Sequence, residues 1–254
     1  MSRSARLTSA WNYKSSATTS TSVTTTSTAL LGLRASRESK RTLPLDAPIY
    51  PVALVLKDRR CLVVGGGHIA ERKTRGLLAA EAQVHVVAKE LLAPMRSLAG
   101  SPGLASMEER PYRQGEVAGY WLVVAATGDA EVNRAVYNDG GSAGVWVNSA
   151  DDPDNCSFIL PAVARQGPVT VAISTNGYSP ALASWLKQHV VEQMGPELAE
   201  LAELLAEARA RLKAQGRSTE EVDWRPGLDW AMLDLIRSGR RAEAKERLEA
   251  CLLP

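Results

Sequence analysis

Three cysteines and three histidines are all that the 254 residues contain. Cys61, Cys156 and Cys251 are odd in number and far apart, with no Cys-x-x-Cys pair and no Cys/His cluster. That pattern excludes a disulfide framework and a zinc site of ordinary spacing. Cys61 lies in an apolar run and reads as a small core residue. A reducing, cytoplasmic compartment fits such cysteine use. Among the histidines, His68 follows a glycine run, His85 alternates within a strand-like segment and His189 falls on a helical one. A lone histidine on such elements reads as structural, so no metal ligand is assigned. Long apolar runs are also lacking, and none approaches the roughly 18–20 residues that span a bilayer. A net charge of +2 gives no general reason to expect nucleic acid or a membrane surface as partner.

Charge is unevenly spread. Residues 1–46 carry Arg3, Arg6, Lys14, Arg34, Arg37, Lys40 and Arg41 against only Glu38 and Asp46, which leaves the remainder mildly acidic. This segment is rich in Ser and Thr, as in Ala17-Thr18-Thr19-Ser20-Thr21-Ser22. It holds too little apolar surface to offset its ordering entropy, so a disordered leader is expected. Its basic, acid-poor composition also suits a targeting segment.

From Tyr50 onward the pattern is that of a folded protein, and a 45% hydrophobic share suffices for a real core. Strands are expected at residues 61–64, 84–87, 105–109, 121–126 and 145–148, with helices at 69–80 and 131–138. Apolar strands alternating with helices indicate a parallel sheet covered on both faces. Past Asp151-Asp152-Pro153 the character changes. Strands are expected at 158–161 and 169–174, and helices at 180–194, 197–213, 228–238 and 241–252. In the second of these helices, residues 197–213, Leu198, Leu201, Leu205, Ala208 and Leu212 form one stripe.

Gly65-x-Gly67-x-x-Ala70 fits the dinucleotide fingerprint. Gly65 permits the turn off the strand, Gly67 lets backbone approach a pyrophosphate, and the small Ala70 lets helix and sheet pack closely. The helix start then offers unpaired N–H groups and a positive dipole end. Gly65, Gly66, Gly67, His68 and Ile69 are the expected cofactor-loop residues. At the end of the second strand, Lys89 and Glu90 flank the expected adenosine ribose. Glu90 is slightly late for a ribose-binding acid and Lys89 suits a 2′-phosphate, so this turn leaves NAD and NADP both open. Thr127 and Asn148 follow the fourth strand and end the fifth, where the cofactor crevice is expected. For Thr127-Gly128-Asp129 a plain helix-capping turn is the equal alternative.

These residues, taken in order, resemble one family. Tyr50-Pro51-Val52-Ala53-Leu54-Val55-Leu56, Cys61-Leu62-Val63-Val64-Gly65-Gly66-Gly67 and Ala70-Glu71-Arg72-Lys73 look like the start of the dehydrogenase/ferrochelatase module of siroheme synthases. The likeness continues through Val124-Ala125-Ala126-Thr127 and Asn133, then Val147-Asn148-Ser149-Ala150-Asp151-Asp152-Pro153 and Phe158-Ile159-Leu160-Pro161-Ala162. It closes on Ala172-Ile173-Ser174-Thr175-Asn176-Gly177-Tyr178-Ser179-Pro180-Ala181-Leu182-Ala183, and so spans roughly residues 49–190.

The resemblance implies NAD-dependent oxidation of precorrin-2 to sirohydrochlorin, with ferrous iron insertion as a second activity in many members. It implies an α/β fold in three parts: a Rossmann-type parallel-sheet domain (47–156), a small α+β dimerisation region (157–195) and a C-terminal helical region (196–254). It further implies a homodimer, and Asp151 as the catalytic acid–base in both reactions. Ser174, Thr175, Asn176, Gly177 and Ser179 are then the expected substrate segment. Arg72, Lys73, Arg75, Arg165 and Lys187 are candidates for the carboxylates of the tetrapyrrole. Two departures stand out. Asn176 replaces a glycine of the family pattern, though Asn tolerates positive φ better than most residues. Ser149-Ala150-Asp151 replaces the bulkier Val-Val-Asp. Read from the residues alone, a non-catalytic NAD(H)-sensing module and a different NAD(P) oxidoreductase stay open as alternatives.

Overall fold

A computed structural model describes residues 49–150, 152–220 and 222–252. The expected leader and Asp151 lie outside the described residues. Five strands, β1 (Arg60–Val64), β2 (Gln83–Ala88), β3 (Leu104–Glu109), β4 (Leu122–Ala125) and β5 (Trp146–Ser149), form one parallel sheet in the order β3-β2-β1-β4-β5. Helices α1 (His68–Leu78), the one-turn α2 (Ala93–Arg96) and α3 (Ala130–Ala143) connect them.

The strand sequences explain the layering. Residues 61–64 are all buried, and their side chains alternate between two cores. Cys61 and Val63 pack on the side of α1, with Ala70, Leu77, Val84, Val86 and Met95. Leu62 and Val64 pack on the side of α3, with Val123, Ala125, Val136 and Val147. A strand buried on both faces reads as a continuous apolar run, as the sequence showed.

Beyond β5 the chain forms an antiparallel hairpin, β6 (Ala162–Gln166) and β7 (Val169–Ile173), joined at Gly167, whose φ of 55° suits a tight turn. The helix α4 (Pro180–Gln193) lies against this hairpin. Helices α5 (Glu197–Ala214), α6 (Trp230–Arg237) and α7 (Arg241–Cys251) form a third core around Leu204, Met232 and Leu248, none more than 2% exposed. Among the described residues no helix is long and apolar enough to cross a membrane. The expected α/β class, a Rossmann-type sheet followed by a small α+β unit and C-terminal helices, is the observed one.

Three local expectations are corrected. Residues 158–161 form no strand. Phe158 instead packs against the α1-side core, its carbonyl oxygen accepts from Asn148 Nδ2 (3.0 Å), and Pro161 has no N–H to give a ladder. The strand that was missed is β6, which pairs with β7. Helix α3 runs past the expected end at residue 138 to Ala143, through Gly140 and Gly141, and stops at Gly144 with φ 67°. Packing carries it: a Cβ on Gly140 would fall 2.2 Å from Val147 Cγ2, so the absent side chain is what lets α3 press onto β5.

Candidate active site

The site is built at the carboxyl ends of β1, β2, β4 and β5. In the order β3-β2-β1-β4-β5, successive crossovers run in opposite directions from β1, and the crevice lies there. Gly65 has φ 133°, and a Cβ on it would fall 2.3 Å from Ala126 O. A Cβ on Gly66 would fall 2.0 Å from Glu90 O, and Gly66 O accepts from Leu92 N (3.0 Å). The loop is therefore gripped by the segments that follow β4 on one side and β2 on the other.

Gly67 differs from both. A Cβ there would meet nothing within 4 Å. Gly67 is the N-cap of α1, and no side chain caps the first-turn N–H groups. His68 and Ile69 are exposed beside it. This is an open cradle of uncapped donors at a helix start, and it fits a dinucleotide pyrophosphate. Lys89 and Glu90 are exposed next to the cradle, and Glu90 touches it through its backbone.

Thr127 sits across the loop, with its N atom 3.2 Å from the position of a Gly65 Cβ. Its hydroxyl is shared with Asn133 Oδ1 (2.6 Å) and Asp129 O (2.9 Å). Asp129 caps α3, accepting from Glu131 N and Val132 N. The capping arrangement is thus present, at the rim of the crevice. Asn148 is 7% exposed, and its amide nitrogen is committed to Phe158 O and Cys156 Sγ. Ser149, at the end of β5, is buried, and its Oγ has no hydrogen-bond partner. Ala150 N donates to Ala125 O (2.8 Å), which carries the sheet pattern one residue past β5 to the point where Asp151 follows.

The 174–179 segment forms its own turn between β7 and α4. Asn176 adopts φ 50° and Gly177 φ 79°. Thr175 Oγ1 donates to Ser179 O (3.0 Å) and accepts from Ser179 N (3.1 Å), Ser174 Oγ accepts from Asn176 N (3.2 Å), and Ser179 Oγ caps α4 by accepting from Leu182 N (3.1 Å). These hydroxyls build the turn.

The candidate cations divide. Arg75 pairs with Glu71. Arg72, Arg165 and Lys187 are exposed, the last two on β6 and α4. Lys73 is half-buried on α1, and its charge acts on the Cys156 thiol. His85 shares a hydrogen bond with Ser106 Oγ (2.8 Å) and meets Tyr120 edge-on. His189 shares one with Trp185 O (3.1 Å) and packs on that indole. Among the described residues no group of three or more His, Cys, Asp or Glu side chains is placed to hold a metal.

Sequence reasoning missed Cys156. Its Sγ stands at the base of the turn that follows β5 and is held above its ordinary pKa range, chiefly by burial. Its eight-residue separation from Asn148 gave no periodic signal for the bridge that joins the two.

Comparison with known proteins agrees with this geometry. Residues 52–162 match a family model described as putative NAD(P)-binding, and residues 166–193 match one described as sirohaem biosynthesis protein, central. The siroheme synthase of Nitrosococcus oceani is 34% identical over 80% of this chain and 43% of its own length. That of Chromobacterium violaceum is 36% identical over 79% of this chain and 43% of its own. The chain thus spans less than half the length of these relatives. Among solved structures, the precorrin-2 dehydrogenase SirC superposes with a TM-score of 0.61 at 26% identity, covering 80% of this chain and 98% of SirC. A glycine cradle at the switch point of this sheet, a central-region hairpin and helix, and these relatives together place the chain in the precorrin-2 dehydrogenase / sirohydrochlorin ferrochelatase family, that of the N-terminal module of siroheme synthase.

Proposed function

We propose that this chain oxidises precorrin-2 to sirohydrochlorin with NAD, in a cytoplasmic homodimer. The observation that carries the reading is the open cradle at Gly67, at the carboxyl end of the sheet where Ala150 N donates to Ala125 O (2.8 Å) just past β5. Gly65, Gly66, Gly67, His68 and Ile69 hold the pyrophosphate, with Lys89 and Glu90 at the ribose end and Thr127 and Asn148 along the crevice wall. When bound, NAD supplies the hydride acceptor.

The protein's own part is to orient the macrocycle and to take the proton that leaves it. Asp151 is assigned that role. A carboxylate is ionised at neutral pH and can accept a proton, more effectively where burial raises its pKa. Ser174, Thr175, Asn176, Gly177 and Ser179, with cations such as Arg72 and Lys73, are assigned to the tetrapyrrole and its acid arms. Metal insertion also requires pyrrole protons to leave. The same carboxylate therefore serves a ferrochelatase step with ferrous iron as substrate, an activity that the name of the siroheme synthase relatives favours.

Replacing Asp151 with Ala is expected to abolish NAD-dependent sirohydrochlorin formation, followed by absorbance, while NAD affinity stays within a few-fold. Unchanged turnover would remove Asp151 from the mechanism. Running the wild-type assay with NAD and with NADP decides what Lys89 contributes.

A further inference from the structure

The segment that leaves the sheet at Asn148 returns at Cys156, and an antiparallel bridge between these two residues closes its base. Ser157 ties the next pair: its N donates to Val147 O (2.8 Å) and its Oγ accepts from Val147 N (2.7 Å). Inside the closed loop the described residues make two longer backbone contacts. Asp152 N reaches Ser149 O at 3.4 Å and Asn155 N reaches Asp152 O at 3.2 Å. Asn155 Nδ2 adds a bond to Asp152 Oδ2 (2.6 Å).

One sulfur makes four further contacts with the described residues of this loop. Asn148 Nδ2 (3.4 Å) and Ser149 N (3.3 Å) donate to Cys156 Sγ. Ser149 O (3.3 Å) and Asp152 O (3.4 Å) both lie within reach of its S–H. Burial keeps the thiol protonated at neutral pH, so this hydrogen is present to be donated. The sulfur therefore touches the chain on both sides of position 151, at 148–149 and at 152.

We propose that Cys156 is the positioning residue for the turn that follows β5, its thiol tying residues 148–149 to residue 152 across position 151. This rests on Asp151 being the acid–base of the reaction. Sulfur is a weak donor and a weak acceptor, so its bonds add little to global stability. A displacement of about 1 Å at a reacting group, by contrast, can cost on the order of 100-fold in rate. A positioning role therefore separates rate from stability, and a packing role does not.

Two variants of the full chain test it. Cys156→Val fills the sulfur's volume without donor or acceptor, and Cys156→Ser keeps both. Cys156→Val is expected to lower kcat for sirohydrochlorin formation by about tenfold or more, while KM for precorrin-2, the NAD dissociation constant by calorimetry and the melting midpoint stay near wild type. Cys156→Ser is expected to recover most of the lost rate. The proposal is overturned if Cys156→Val keeps kcat within about twofold, or if rate, NAD affinity and melting midpoint fall together with no recovery in Cys156→Ser. Asp151→Ala in the same assay separates the two ideas. An active Asp151→Ala sinks the role of the acid itself, whereas an inactive one beside a fully active Cys156→Val sinks only the role of the sulfur.

Discussion

A methyl group added at Gly66 would collide with the Glu90 carbonyl, while one added at Gly67 would stand in open space. The two glycines therefore answer to different demands, one to the fold and one to a ligand. Gly67 has φ −87° and ψ −175°, ordinary extended backbone, so alanine is tolerated there by the protein itself. We expect Gly67→Ala to leave the melting midpoint near wild type and to weaken NAD binding by about tenfold or more, because the new methyl occupies the approach to the uncapped N–H groups. Calorimetry beside a thermal melt reads both quantities. Equal affinity in the variant would mean that the cradle holds nothing at that point. Asn176 shows the converse economy: its φ of 50° is one that Asn adopts at less cost than most residues, so the turn survives the loss of the family's glycine.

At the scale of elements, what was legible in the sequence was whatever a strand or helix settles by itself. Residues 61–64 are apolar without interruption, as a strand buried on both faces requires. What stayed hidden depends on partners. Helix α3 continues through two glycines because Val147 fills the space at Gly140, a contact no local propensity reveals. Residues 162–166 mix Ala, Val, Arg and Gln, a weak strand signal until the antiparallel pairing with β7 supplies the register. Apolar residues 158–160 looked the stronger strand, but they end at a proline and are held by Asn148 and the core. In the site, the glycine loop was readable from its spacing between an apolar strand and a helix, whereas the Cys156 contacts arise only when the chain folds back on itself.

Strand β2 carries a pH-sensitive element of its own. His85 has its pKa lowered from the ordinary 6.5, first by burial, then by the positive charge of Arg60, against a smaller opposing pull from Glu108. The folded state thus binds this proton less readily than the unfolded chain. The stability held by neutral His85 is complete above the unfolded value and is lost as pH falls through 6.5 toward the lower folded pKa. Glu108 and Glu109, whose pKa values are lowered by Arg110 and Arg96 respectively, act in a separate and more acidic window, below 4.5. We expect the melting midpoint to fall between about pH 7 and pH 5.5, and His85→Gln to flatten that decline while leaving the more acidic one in place. An identical slope in the variant would assign the effect elsewhere.

For the whole molecule, α4 poses the question of assembly. Within the helix Leu182, Trp185 and Val191 are 46–52% exposed, Tyr178 just before it is 73% exposed, and Ala183 is the buried residue. An apolar helix that covers so little of itself is suited to the proposed homodimer. Sedimentation of the full chain is expected to give a dimer, and Leu182→Glu with Trp185→Glu a monomer that still binds NAD. A monomeric wild type would end that proposal. The C-terminal helices have a core of their own, around Leu204, Met232 and Leu248.

The grip on Gly66, with Leu92 N on its carbonyl and Glu90 against its Cα, has a thermodynamic corollary. A loop already moulded by its neighbours surrenders little freedom when a ligand arrives, so association there should cost almost no ordering of the chain. Amide hydrogen exchange at Gly65, whose N donates to Val87 O (2.8 Å), should accordingly be slow before NAD is added, and the added protection should concentrate on the α1 start at 68–70.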